Sequence, residues 1–114
     1  MQKDRLIFLS RALECIDCIT EFTQDGKTSF LNDRKTRDAV LRNLEVIGQC
    51  LKDFGNTELE SAYPHIRWKR IIGFRNILAH EYLGLDFQMV WAVIKDHLPE
   101  LREVLVTHLS RSKS

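Results

Sequence analysis

Arg75, His80 and Tyr82 are the residues whose types and spacing suit a reaction: an arginine, four residues, a histidine, one residue, a tyrosine. With ten arginines and four histidines in 114 residues, an Arg five positions before a His arises by chance about a third of the time, and requiring the tyrosine lowers this to below about 1%. A histidine titrates near neutrality and can take or give a proton. An arginine keeps its charge and presents a planar fork of N–H donors to two phosphate oxygens. Together they suit RNA cleavage without a metal, in which the 2′-hydroxyl attacks its adjacent phosphate, His80 takes the proton and Arg75 stabilises the charged pentavalent species. Tyr82 can stack or hydrogen-bond along the substrate. Asn76, four residues before His80 and on its face, can fix the imidazole tautomer. The plainer reading makes Arg75 a buried or interfacial structural arginine and His80 a helix-end histidine favoured by the macrodipole.

The residues that position this set are helical in pattern. At 100° per residue Arg75 and Tyr82 lie within about 20° of each other, but Arg75 and His80 are about 140° apart, so one straight helix cannot aim both at one atom. Either the helix unwinds near His80 as it approaches Gly84, or two copies converge across a symmetry axis, and the second arrangement, with some local unwinding, is favoured. The motif helix begins near Ile66, after Pro64, with the stripe Trp68, Ile71, Arg75, Leu78, Tyr82. A first helix, roughly 3 to 24, carries two stripes, Leu6, Leu9, Leu13, Ile16 and Phe8, Ala12, Cys15, Ile19, Phe22. Asp25 and Gly26 stop it, Thr28 to Leu31 read as a connector, and Asp33 caps a second long helix with the seam Val40, Leu44, Ile47, Leu51, Phe54, closed by Gly55. These two helices should pack antiparallel. Asn56 to Tyr63 reads as a loose turn of helix. Asp86 caps a last helix reaching Leu109, which Pro99 kinks or restarts. The expected architecture is an all-α, up-and-down bundle of four to five helices that dimerises, a single domain over 1–109 followed by a frayed polar tail over 110–114.

Composition narrows the function classes. Hydrophobic residues make up 44% and charged residues 29%, with five glycines and two prolines, which excludes collagen-like and disordered chains. Seventeen basic against sixteen acidic residues leave +1, so any RNA contact must be local rather than a histone-like coating. Two local clusters exist: Arg67, Lys69, Arg70 and Arg75, and Arg34, Lys35, Arg37 and Arg42. Each reads as a solvated helix face, or as one side of a basic groove if a dimer brings them together. Cys15 and Cys18 form a CxxC without a second pair to complete a zinc set, and Cys15 continues an apolar stripe, so it reads as core, as does Cys50. His65, His97 and His108 have no histidine three to five residues away; the last two read as surface or boundary imidazoles. No metal or cofactor is expected. With no signal peptide or bilayer-length apolar run, the expected location is reducing cytosol.

The stretch WKRIIGFRNILAHEYLGLDFQMVW, Trp68 to Trp91, resembles the signature region of HepT-like proteins in the HEPN superfamily. The Arg75, polar Asn76, three residues, His80 core is the HEPN mark, and Tyr82 makes it the HepT type. DAVLRNLEVIG, Asp38 to Gly48, is similar to the family's second-helix motif, with further likeness in Tyr63–Pro64 and in LPEL at Leu98 to Leu101. Gln49 and Cys50 depart from the acid and alanine of that pattern, and no role is carried to them. The resemblance implies a dimerising helical bundle with facing motifs, and a metal-independent endoribonuclease acting as the toxin of a type VII-like toxin-antitoxin pair. It also implies a minimal nucleotidyltransferase antitoxin as partner, which silences the toxin by moving AMP from ATP onto Tyr82. The added bulk and negative phosphate would occupy Arg75, the cation that RNA needs. Two rival readings of the residues are a non-catalytic module that binds a nucleotide or the transferase, and a purely structural dimerisation bundle.

Overall fold

In the computed structural model, which describes residues 2–80 and 84–112, seven helices follow one another: α1 (Gln2–Phe22), α2 (Lys27–Asn32), α3 (Arg34–Phe54), α4 (Asn56–Ala62), α5 (Trp68–His80), α6 (Phe87–Asp96) and α7 (Leu98–Ser112). Five have ten residues or more, in keeping with an all-α bundle of four to five principal helices; the short α2 and α4 supplement them. Helix α3 is the hub and packs on α1, α2 and α5. The start of α1 meets the end of α3, where Arg5 Nε and Nη2 donate to the Phe54 carbonyl at 3.0 and 2.7 Å, so the two run antiparallel as their short link requires. Helix α7 lies antiparallel along α1: Arg102 near its start bonds Asp17 at 2.8 Å, and His108 near its end reaches the region of Arg5.

Local chemistry sets the boundaries. Asp33 caps α3, its carboxylate accepting from the Lys35 N–H at 3.1 Å and the Thr36 hydroxyl at 2.7 Å. Gly55, at φ 95°, takes the left-handed turn that ends α3, and its N–H bonds the Leu51 and Lys52 carbonyls. Asp86 caps α6 through the Gln88 and Met89 N–H groups. Pro99, at the second residue of α7, restarts the pattern rather than kinking one continuous helix, because an early helical position needs no N–H donor. The expected stripes form the core: Leu9, Ala12, Ile16 and Ile19 of α1 against Val40, Ile47, Leu51 and Phe54 of α3 and Leu101 and Leu105 of α7. Each fully buried Leu or Ile there contributes about 1.5–3 kcal/mol.

Three local readings change. Thr28 to Leu31 is not an open connector but most of α2, held by Phe30, which is fully buried with its ring 5.5 Å from Trp91 and 6.3 Å from Phe87. The stretch assigned to a frayed tail is helical as far as Ser112, whose hydroxyl donates to the His108 carbonyl at 2.9 Å. His108 is not a surface or boundary imidazole. It is buried, Nε2 lying 2.6 Å from Glu58 Oε2 and Nδ1 3.3 Å from the Tyr63 hydroxyl, with the Phe54 ring edge-on at 6.0 Å. Cys15 and Cys50 are core residues as expected, and both, with Cys18, are free thiols. Among the described residues no helix is long and apolar enough to cross a membrane.

Candidate nucleic-acid site

Helix α5 carries the candidate residues Arg75, Asn76 and His80. Its start is fixed by Trp68, buried, whose indole Nε1 donates to the Tyr63 carbonyl at 2.9 Å across the turn that Pro64 opens. One turn on, Ile71 and Arg75 face α3 at Gly48. A Cβ built on Gly48 would stand 3.0 Å from Arg75 Cβ and 3.5 Å from the Ile71 carbonyl oxygen, so the missing side chain is what lets the two helices close at Arg75. A glycine inside a helix costs about 1 kcal/mol relative to alanine. That cost was the one available sign, within DAVLRNLEVIG, that Gly48 serves a close approach.

Arg75 is half-buried, and its Nε is buried with no hydrogen-bond partner among the described residues. A purely structural guanidinium places its N–H groups on carbonyls or carboxylates of its own chain, as Arg5 does on Phe54 and Glu58. Arg75 has one buried donor without a partner among the described residues, where burial strengthens the pull of a guanidinium on an anion. Asn76, next along the helix, is exposed. The His80 side chain and all of Tyr82 lie outside the described residues, so the Asn76–His80 pairing and the surroundings of Tyr82 are not described either. The backbone is helical through His80, not unwound there as expected, which keeps positions 75 and 80 about 140° apart in one copy.

A cleft of about 860 Å³ opens on another side of α5. Phe74 and Ile77 of α5 and Met89 and Val93 of α6 form its walls, with Leu44 and Ile47 of α3 beneath. Arg67 and Arg70 stand at its edge. Seven residues turn a helix through 700°, so position 80 shares the Gly73 face, and Gly73 also lines the cleft. Sequence periodicity did not reveal this opening. Phe74 and Ile77 belong to no stripe singled out in the sequence, and only the packing of α3, α5 and α6 brings them to one opening. Among the described residues no three His, Cys, Asp or Glu side chains gather as metal ligands.

Comparison with known proteins bears on what this arrangement does. The family model described as "Ribonuclease HepT-like" matches residues 12–107, a span that includes Gly48, Arg75 and His80. The chain is 34% identical over 103 residues to "Putative RNase MJ1380" of Methanocaldococcus jannaschii, covering 90% of this chain and 94% of that protein. It is likewise 34% identical over 103 residues to "Probable ribonuclease HepT" of Thermococcus cleftensis, covering 90% and 93%. No solved structure matches significantly. With the family model spanning most of its length, this all-helical chain belongs to the HepT-like ribonucleases of the HEPN type.

Proposed function

We propose that this protein is a metal-independent endoribonuclease, the toxin of a type VII-like toxin-antitoxin pair, working as a homodimer. The observation that carries the reading is the half-buried Arg75, pressed against Gly48, its Nε without a partner among the described residues, five residues before His80. In the proposed reaction His80 accepts the 2′-hydroxyl proton, the 2′-oxygen bonds phosphorus, and the 5′-oxygen leaves and takes a proton back from the imidazolium. The product carries a 2′,3′-cyclic phosphate. Arg75 binds the equatorial oxygens as their charge grows, and does so best where water is excluded. Because one helix splays positions 75 and 80 apart, the guanidinium of one copy and the imidazole of the other converge on a shared phosphodiester.

The partner in this reading is a nucleotidyltransferase antitoxin. It would join the Tyr82 phenolic oxygen to the α-phosphorus of ATP, releasing pyrophosphate, and the bound AMP phosphate would then compete with RNA for Arg75. The test is purified protein on total RNA with chelator present. Cleavage to cyclic-phosphate ends, lost in His80→Ala and in Arg75→Ala, supports the reading, and unchanged cleavage by His80→Ala refutes it. Intact mass after co-expression with a transferase encoded beside it tests the regulation, because AMP must appear on a peptide containing Tyr82.

A further inference from the structure

The two basic clusters of the sequence are not equivalent once folded. On α3, Arg34 pairs with Asp38 at 3.7 Å and Arg42 with Glu45 at 3.9 Å. Arg37 donates to the Leu31 carbonyl and lies over the Phe87 ring at 4.9 Å. Arg67, just before α5, and Lys69 and Arg70 on α5 are exposed and form no salt bridge among the described residues. Arg67 and Arg70 stand at the edge of the cleft, whose lining among the described residues includes a single carboxylate, that of Glu100, 3.5 Å from His65 Nε2. Positive charge with no salt bridge among the described residues therefore sits beside a wide apolar opening.

That pairing has a chemical fit. A nucleobase is flat and apolar on its faces, and the phosphates flanking it carry one negative charge each. A duplex hides those faces in its own stack, whereas a single strand can turn a base outward. The opening, of about 860 Å³, falls in the roughly 300–1,000 Å³ range of small-molecule sites and is ample for one base beside an aromatic wall. Arg70 lies within 20° of Ile77 on α5, and position 80 is 60° further round, about 15 Å along the axis from Arg70. A strand whose scissile phosphate is at position 80 can follow α5 back to Arg70 and Arg67.

We propose that this cleft is a subsite for single-stranded RNA, in which a base lies against Phe74 while Arg70 and Arg67 hold the phosphates that lead to it. The proposal rests on the ribonuclease reading and adds to it a strand preference and a location. Binding of a fluorescent, fully 2′-O-methylated oligoribonucleotide, which cannot be cleaved, tests it apart from catalysis. Arg70→Gln should weaken binding about tenfold and flatten the slope of log affinity against log salt by about 0.7. Phe74→Leu should weaken binding with the slope unchanged, Arg34→Gln should alter neither, and the same sequence as a duplex should bind at least about tenfold more weakly. Thermal melting establishes that each variant is folded. Unchanged affinity in both Arg70→Gln and Phe74→Leu overturns the subsite, as does equal binding of the duplex. It is also overturned if these variants shift the oligomeric mass yet leave affinity intact, which assigns the cleft to a protein contact. Oligomer binding that shows these variant effects in a protein that cleaves no RNA would uphold the subsite and refute only the ribonuclease reading.

Discussion

Two helix-interior glycines provide a matched measurement of how firmly Arg75 is set. In Gly48→Ala the new Cβ meets Arg75 Cβ at 3.0 Å, about 0.5–1 Å inside the best carbon–carbon separation. Both atoms are fixed to helix backbones, so neither can rotate away and α5 must shift. Overpacking of this kind costs about 1–3 kcal/mol, against about 0.8–1.0 kcal/mol gained by replacing a helical glycine with alanine. The net effect is a loss of about 0–2 kcal/mol. In Gly73→Ala nothing lies within 4 Å of the new methyl, so only the gain of about 1 kcal/mol remains. At about 2.1 cal/mol/K per residue, this length of chain moves its Tm by about 4 °C per kcal/mol. Calorimetry should therefore place Gly73→Ala about 4 °C above the wild type, and Gly48→Ala between unchanged and about 8 °C below it. RNA cleavage should fall about tenfold to hundredfold in Gly48→Ala alone, since a catalytic group displaced by an ångström loses about that much. Equal stabilisation by the two substitutions would refute the close approach of α3 and α5. A destabilised Gly48→Ala with full activity would refute the idea that Gly48 sets Arg75 for catalysis.

Three further outcomes follow from other parts of the molecule. The Thr36 hydroxyl, followed by the Lys35 and Thr36 N–H groups, holds the Asp33 carboxyl below its ordinary range. Its contribution to stability is therefore complete above the unfolded value, near about pH 4, and disappears as pH falls through the lower folded value. The Tm difference between wild type and Asp33→Ala should stay constant from neutrality down to about pH 5 and close in stronger acid. Tyr63→Phe leaves the buried His108 Nδ1 without the hydroxyl 3.3 Å away and should cost about 1–3 kcal/mol by denaturant titration; an unchanged midpoint would show the contact to be idle. Burial pushes the Cys15 and Cys50 thiols up. Iodoacetamide on the native protein should therefore label Cys18 first, and peptide mapping that finds equal labelling would mean the α1–α3 core opens readily.

How far the fold was legible depends on the range of the interaction involved. Asp33, Gly55 and Asp86 act on backbone groups a few residues away, and each ends or begins a helix where the sequence placed it. The stripes of α1 and α3 span several turns, so their period is visible and their buried faces agree with it. Helix α2 has six residues, too few to show a period, and exists because Phe30 reaches Phe87 and Trp91, far along the chain. His108 was misread for the same reason: its partners Glu58 and Tyr63 are 50 and 45 residues away, and only their convergence makes burial of an imidazole tolerable. At the site, the spacing of Arg75 and His80 gave the angular conflict directly. The neighbour that seats Arg75 on α3, and the cleft beside Arg70, needed the packing of separate helices.

The fit of Gly48 to Arg75 changes how related sequences should be sorted. Matching the arginine and histidine alone treats the motif as a string, although the seat of the arginine depends on an absent side chain on another helix. A homologue that keeps both lettered residues but carries a bulky residue opposite the arginine would preserve the spelling and lose the shape. Such chains should be set apart as candidates for binding without cleavage before any activity is ascribed to them.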